Sequence, residues 1–289
     1  MVQGWFVASL HELFNKDGFR PRKSAGQNFL VDTKILGRIE SVIRPSSDDV
    51  MLEVGGGTGA LTERLVKKKS PLIVVESDHK LFDHLERTFG NLPYVHLVKA
   101  DIMKLDLAPF VPPSPGKITL VGNIPYYLTT PLITRLLEKE RGRIRSISLM
   151  IQKEVAERLG AQPGTKAWGA LSICARYWSH FQMLFPVSRQ SFKPAPKVES
   201  AFVRLTPLEK PMLDEEGTKN LFRLVRAIFQ TRRKTLLNSL KSGGWTDEAA
   251  RKAIEECRLK PEVRGETLDL EHLVELSLLL EKAGEIQNP

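Results

Sequence analysis

Short apolar runs alternate with mixed polar stretches between residues 50 and 151 of this 289-residue chain. Runs rich in Val, Ile and Leu predict buried strands, and they lie at 50–54, 72–76, 94–98, 118–121 and 144–151. The stretches that follow several of these runs favour helices, at 62–68, 78–89 and 153–159. Strands that alternate with helices predict βαβ units, and therefore a parallel sheet with right-handed crossovers.

The pattern changes in the second half of the chain. Residues 181–205 are predicted to be β-rich, and Pro207 and Pro211 mark a candidate boundary. Beyond that boundary, apolar periodicity and turn residues predict helices at 218–230, 232–240, 246–257 and 270–282. We therefore expect a doubly wound α/β domain over residues 1–206, with an N-terminal arm at 1–23, and a small all-helical domain over 207–289.

Composition narrows the class of protein. The two cysteines, Cys174 and Cys257, cannot build a disulfide framework, and no CxxC or HExxH pattern indicates a bound metal. No apolar run reaches the roughly 18 residues that a membrane span needs, and no secretory signal is recognised, so we expect a cytoplasmic protein without a metal. The net charge of +9 favours an anionic partner such as nucleic acid.

A glycine cluster follows the first predicted strand and precedes a helix. Gly55, Gly57 and Ala60 satisfy the GxGxxG/A dinucleotide pattern, and Glu76 lies about 20 residues further on, where a carboxylate binds ribose hydroxyls. Glu53 favours S-adenosylmethionine over NAD, because an acid before the first glycine suits the ammonium group of the methionine moiety. Asp101 follows the third predicted strand, where it can accept a hydrogen bond from the adenine amino group.

The fourth predicted strand leads into the tetrapeptide Asn123-Ile124-Pro125-Tyr126. The exocyclic amine of adenine is a poor nucleophile, because its lone pair is delocalised into the ring. The Asn123 side-chain oxygen and the Ile124 carbonyl can accept both amine hydrogens and aim the lone pair at an activated methyl group. Pro125 fixes the backbone, and Tyr126 offers an aromatic face to the base. The predicted catalysis is positioning plus electrostatics.

Taken together, these segments resemble the ribosomal RNA small-subunit adenine N6,N6-dimethyltransferases of the KsgA type. The similarity spans about residues 22–270, with further matching blocks at 24–30, 152–158, 169–172, 191–200, 230–236 and 264–268. It implies a Rossmann-like methyltransferase domain that uses S-adenosyl-L-methionine, releases S-adenosyl-L-homocysteine and needs no metal. The implied reaction is dimethylation of two adjacent adenosines near the 3′ end of 16S ribosomal RNA during small-subunit maturation. Gly56 stands where the family usually has proline, which we expect to loosen the loop.

The resemblance also implies roles for individual residues. It assigns cofactor binding to Gln27, Asn28, Leu30, Glu53, Gly55, Gly57, Glu76, Asp101, Ile102 and Asn123. It implies that the reacting base is bound and oriented by Asn123, Ile124, Pro125, Tyr126 and Phe192. The Phe192 ring is expected to face Tyr126 across that base.

A basic stretch between residues 219 and 242 carries seven Lys or Arg residues and no acid. Such a stripe is typical of phosphate binding, so RNA contacts are expected from Arg223, Arg226, Arg232, Arg233 and Lys234, with Arg22 and Lys23 as a second contact. The expected partner is small-subunit ribosomal RNA within an immature small subunit, bound by a monomer. Two alternatives stay open: a 23S ribosomal RNA adenine dimethylase of the macrolide-resistance type, and a non-catalytic nucleic-acid-binding or assembly relative.

Overall fold

The computed structural model describes residues 19–22, 26–260 and 262–282. The packing divides the chain into two compact units. One unit extends to Ala156 and includes His180–Pro207, and the other comprises Glu157–Ser179 and the residues from Leu208 onward. None of the helices in the described ranges is long and apolar enough to cross a membrane.

The first unit is built around a central sheet. The strands are β1 (Phe29–Leu30), β2 (Val50–Val54), β3 (Leu72–Glu76), β4 (Val95–Lys99), β5 (Ile118–Asn123), β6 (Ile144–Gln152), β7 (Ser179–Val187), β8 (Phe192–Lys193) and β9 (Ser200–Pro207). Seven of them form one sheet in the order β4-β3-β2-β5-β6-β9-β7. The pairs from β4 through β6 are parallel, and β9 runs antiparallel to β6. The predicted α/β class is confirmed.

The helices of this unit are α1 (Thr33–Val42), α2 (Thr62–Leu65), α3 (His79–Phe89) and α4 (Thr129–Lys139), followed by α5 (Lys153–Leu159), which ends in the second unit. Asp32 and Asp78 cap α1 and α3 by accepting hydrogen bonds from backbone amides of the first turn. The predicted helix at 62–68 is α2 continued by a 3₁₀ turn, Val66–Lys68.

Parallel order determines where a binding site can form. The central strands β2 and β3 are buried along their whole length, as expected for a sheet covered on both faces. Their carboxyl ends, with those of β4 and β5, lie at one edge of the sheet. In doubly wound folds, ligands bind at this edge.

The second unit is helical. Its remaining helices are α6 (Ala170–Trp178), α7 (Glu215–Gln230), α8 (Leu236–Ser242), α9 (Asp247–Glu256) and α10 (Leu270–Lys282). The Trp168 indole donates to the Leu268 carbonyl at 3.1 Å, and the Tyr177 and Thr218 hydroxyls lie 2.6 Å apart. Because of these contacts, residues 157–179 pack with the C-terminal helices, although the predicted boundary at 206/207 assigns them to the first domain. Pro207, which ends β9, does lie at a division between the units.

Candidate active site

A cavity opens at the carboxyl ends of β2, β3 and β5. It is lined by all of the residues predicted to bind the cofactor, namely Gln27, Asn28, Leu30, Glu53, Gly55, Gly57, Glu76, Asp101, Ile102 and Asn123. Ile124, Pro125 and Tyr126 line the same cavity. The structure therefore brings together residues that are far apart in the sequence.

The glycine loop between β2 and α2 lines part of the cavity. Gly55 and Gly57 adopt positive φ angles of 76° and 56°, which residues with a Cβ rarely adopt. Gly56 is needed for a different reason. A Cβ there would lie 2.6 Å from Val74 Cγ1 and 2.7 Å from Leu85 Cδ1. Glycine at 56 is thus a packing requirement here, and not only a looser replacement for proline.

Glu53 places a buried carboxyl against this loop. The residue is 1% exposed, and its Oε2 accepts a hydrogen bond from Thr62 Oγ1 at 2.7 Å. Burial, reinforced by the nearby Glu76 carboxyl, raises the pKa of Glu53 to about 8. A cationic group entering the cavity would stabilise the ionised carboxylate. The position therefore fits a ligand that carries an ammonium group.

Glu76 ties the end of β3 to the glycine loop. Its Oε2 accepts from the Gly57 amide at 2.9 Å, and its Oε1 accepts from the Asp78 amide at 2.8 Å. Burial raises the pKa of this carboxyl, against the opposing effect of the backbone hydrogen bonds. A carboxylate has about four lone-pair positions, so acceptor capacity is left for hydroxyl groups in the cavity.

The turn after β4 contributes a polar and an apolar side chain. Asp101 is exposed, and its Oδ1 accepts from the Met103 amide at 2.9 Å, while Ile102 is buried. Arg135, on α4, holds this turn by donating to the carbonyls of Ile102 and Leu105. No sequence motif identifies Arg135, because its role in holding the turn depends on contacts with residues that are about 30 positions away in the sequence.

Two side chains of the segment 123–126 are held in place by long-range hydrogen bonds. The Asn123 amide nitrogen donates to the Asn28 carbonyl at 3.0 Å, so the Asn123 Oδ1 remains as the acceptor. The Tyr126 hydroxyl lies 2.7 Å from the Oγ atom of Ser200, which is fully buried. Sequence reasoning missed the roles of the Asn28 carbonyl and of Ser200, because each depends on a long-range hydrogen bond.

Phe192 differs from the expectation. It is 2% exposed, belongs to the hydrophobic core cluster of the first unit and does not line the cavity. Its backbone pairs with Leu30 through the β1–β8 ladder. Removing the large apolar ring from water favours this buried position. In this structure the ring is a core residue, and its place opposite Tyr126 across a base stays a prediction.

Several cations of the basic stretch at 219–242 are paired with acids or backbone carbonyls, which the stretch itself does not show. Arg232 forms an ion pair with Glu266 and donates to the carbonyls of Lys166 and Thr165. Arg223 donates to the Gly243 carbonyl at 2.8 Å and lies over the Trp245 ring. These two arginines hold the second unit together.

Other cations of the stretch are paired with acids or exposed. Lys219 lies near Glu215 and Glu216, and Lys241 pairs with Asp247. The exposed cations predicted to bind RNA are Arg226, Arg233 and Lys234.

Arg22, which was predicted to form part of a second RNA contact, is also paired with residues of the protein itself. Arg22 lines the cavity and forms an ion pair with Asp78, and its amide donates to Gln27 Oε1 at 2.8 Å. Its guanidinium thus neutralises an acid of the first unit. Lys23 lies outside the described residues. In the described parts of the chain, no cluster of three or more His, Cys, Asp or Glu side chains is arranged to hold a metal ion.

Comparison with known proteins identifies related sequences over nearly the whole chain. The family model described as "Ribosomal RNA adenine dimethylase" matches residues 18–281. Ribosomal RNA small subunit methyltransferase A of Shouchella clausii is 39% identical over 276 residues, which cover 93% of each chain. The protein of the same name from Alkaliphilus oremlandii is 40% identical, with 90% of this chain and 92% of the relative covered.

Solved structures show the same architecture. A dimethyladenosine transferase from Plasmodium falciparum superposes with a TM-score of 0.73 and 26% identity, covering 89% of this chain and 98% of that one. The 23S ribosomal RNA methyltransferase ErmE gives a TM-score of 0.67 and 25% identity, covering 88% and 100%.

Proposed function

The chain belongs to the ribosomal RNA adenine dimethylase family, and from that premise we propose that it methylates N6 of two adjacent adenosines near the 3′ end of 16S ribosomal RNA. Each adenosine receives two methyl groups from S-adenosylmethionine. The protein is an RNA adenine-N6 dimethyltransferase, and relatives at about 40% identity are named for the small subunit. The observation that carries the proposal is the cavity-facing segment 123–126 beside the Glu53 carboxyl.

Acceptors in the cavity support binding of S-adenosylmethionine, since its ammonium, ribose and adenine amino groups all donate hydrogen bonds. The Glu53 carboxylate would hold the ammonium group, Glu76 the ribose hydroxyls, and Asp101 the adenine amino group, while Ile102 would pack on the adenine ring. When bound, the cofactor supplies a methyl group activated by its sulfonium and leaves as S-adenosylhomocysteine, without a metal.

The reacting adenine is activated by hydrogen-bond acceptors. Asn28 holds the Asn123 amide nitrogen, so Asn123 Oδ1 would accept one N6 hydrogen and the Ile124 carbonyl the other. This arrangement localises the nitrogen lone pair without a general base, since an amide does not take a proton at neutral pH. N6 becomes cationic as it accepts the methyl group and then releases a proton to solvent, so in the second transfer it offers a single hydrogen to the two acceptors. Tyr126, held by Ser200, would stack on the base. Catalysis then derives from orientation and preorganised dipoles.

The natural substrate on this proposal is an immature small ribosomal subunit in the cytoplasm, bound by a monomer. Arg226, Arg233 and Lys234 are exposed on the helical unit and would contact phosphates. Contacts of that kind make binding weaken steeply as salt increases.

The deciding experiment maps the methylated bases. The full-length protein is incubated with labelled S-adenosylmethionine and under-methylated small subunits, naked 16S RNA or large subunits. We expect label on two adjacent adenosines of the small subunit. The variant Asn123→Ala should lower kcat by about 100-fold or more, comparable to loss of a preorganised dipole in other enzymes. Asn91→Ala, an exposed residue of the same unit, serves as the matched control.

A second candidate is a 23S ribosomal RNA adenine dimethylase, and the likeness to ErmE favours it. Label on large-subunit RNA alone would establish that substrate in place of the first. A third alternative is a non-catalytic assembly factor. It would bind subunits but transfer no methyl group to any of the three RNA substrates.

A further inference from the structure

Tyr127 is an aromatic residue that the reaction described above does not use. It is 63% exposed, yet it lines the same cavity as Asn123 and Tyr126. A single exposed aromatic is ordinary on a protein surface. An exposed ring at the rim of a cavity, one residue after the base-binding segment, is placed to contact the part of a substrate that stays outside that cavity.

The local backbone directs the two tyrosines apart. Tyr126–Leu128 form a 3₁₀ turn, closed by a 3.0 Å hydrogen bond from the Leu128 amide to the Pro125 carbonyl. With about three residues per turn, successive side chains point about 120° apart. Tyr126 is directed to Ser200, where its hydroxyl is bound. The Tyr127 ring is therefore directed away from the Tyr126 ring.

Gly26 supports the Tyr127 ring from one side. A Cβ built at Gly26 would lie 3.6 Å from Tyr127 Cδ1 and 3.4 Å from Pro125 Cβ, and the φ angle of Gly26 is +62°. The ring thus rests close to backbone atoms and still exposes most of its surface. A ring held in this way loses little conformational freedom when a ligand stacks on it.

From this geometry, we infer that Tyr127 stacks on the nucleotide base adjacent to the adenine that reacts. The inference rests on the proposed RNA substrate, in which the neighbour on a given side is itself an adenine for one of the two targets. A purine offers a larger stacking surface than a pyrimidine does, so Tyr127 would favour a purine beside each target. The residue would act on RNA binding, while Asn123 and Ile124 act on the reacting amine.

A double-mutant cycle between Tyr127 and the neighbouring base tests the inference. Small subunits are reconstituted with 16S RNA in which either the 5′ or the 3′ adenosine of the pair is replaced by uridine, which leaves one target in each. The KM for subunits is then measured for the wild type and for Tyr127→Ala. On unsubstituted subunits, Tyr127→Ala should raise KM by roughly 5- to 150-fold, the range found for loss of one base–aromatic stack.

The test is decided by the coupling between the Tyr127→Ala change and the uridine substitution in KM. On one of the two uridine-substituted subunits, the effect of Tyr127→Ala should shrink severalfold, because the stacking partner has already been weakened. Equal effects of Tyr127→Ala on all three substrates would overturn the inference. A wild-type protein that methylates none of them would instead refute the proposed function, so the two failures are distinguishable.

Two further variants separate stacking from folding. Tyr127→Phe keeps the ring and should restore the KM that Tyr127→Ala loses, while the dissociation constant for S-adenosylmethionine stays within about twofold in both variants. Met183→Ala removes another exposed apolar side chain, which is 40% exposed and lies outside the cavity lining. It should leave KM unchanged. A loss of cofactor binding in Tyr127→Ala equal to its loss of RNA binding would contradict a stacking role.

Discussion

The buried carboxyl of Glu53 makes the stability of the protein depend on pH through a single residue. Its pKa of about 8 in the folded protein exceeds the ordinary value of 4.5. The folded state therefore holds the proton more tightly than the unfolded chain does, and stability falls as pH rises from about 4.5 through 8. We expect Glu53→Gln to match the wild type at pH 4 and to be more stable at pH 9, by on the order of a few kcal/mol. Urea denaturation at both pH values measures the difference.

The control for this prediction is Glu86→Gln, which removes an exposed carboxylate from the same unit. Cofactor affinity provides an opposing readout, since an ammonium ligand favours ionised Glu53 and should bind the wild type more tightly as pH approaches 8. Glu53→Gln should weaken that binding. A variant that is no more stable than the wild type at pH 9 would show that Glu53 ionises without cost.

Residues that act through local motifs were predictable from the sequence. Glu53 lies near the end of β2 and Asn123 ends β5, at spacings that carry a chemical meaning. Ser200 and Arg135 were not predictable, because they act on Tyr126 and on the turn at 101–105 only after the chain has folded. Phe192 shows the opposite case, where a resemblance indicates a role at the base and the structure places the ring in the core.

At the scale of elements, two glycines test how packing and helix propensity differ. Gly56 lies in the loop after β2, where a Cβ would meet the buried side chains of Val74 and Leu85. Gly37 lies within α1, and a Cβ added there would meet no described residue within 4 Å, apart from its chain neighbours and the backbone of its own helix. Gly56→Ala should lower the free energy of unfolding by about 1–3 kcal/mol through overpacking. Gly37→Ala should raise it by about 0.5–1 kcal/mol.

Urea denaturation of the two variants under identical conditions measures whether each change raises or lowers the free energy of unfolding. The slope of that free energy against urea concentration should stay the same in both variants. If both variants are destabilised, Gly37 needs its conformational freedom. If neither is, then Val74 and Leu85 move to make room for a methyl group at Gly56.

The strands were easier to predict than the helix ends. Buried parallel strands require continuous apolar runs, and β2 and β3 have the predicted bounds. The helix expected at 232–240 begins instead at Leu236. Thr235 caps it by accepting from the Asn238 amide, and the Lys234 amide donates to the Thr231 carbonyl in a preceding turn. Local apolar periodicity does not reveal such a turn.

At the scale of the whole molecule, charge was only partly predictable. The net charge of +9 and the basic stretch at 219–242 are visible in the sequence. Some of the acids that neutralise the stretch are distant in sequence, as Glu266 is from Arg232. Residues 157–179 likewise join the helical unit through contacts with distant residues. This ion pair and the packing of residues 157–179 depend on tertiary structure, which a local sequence pattern does not reveal.

Adjacent arginines in this stretch should therefore behave differently. Replacing the exposed Arg233 and Lys234 together by Ala should weaken RNA binding and reduce the slope of log K against log salt by about 1.5 to 2, with stability unchanged within about 0.5 kcal/mol. Arg232→Ala should instead lower the free energy of unfolding by about 1–3 kcal/mol, since it leaves Glu266 and two carbonyls without this donor. Salt-dependent binding to 16S RNA and urea denaturation separate the two effects. An unchanged salt slope in the double variant would place the RNA on another surface.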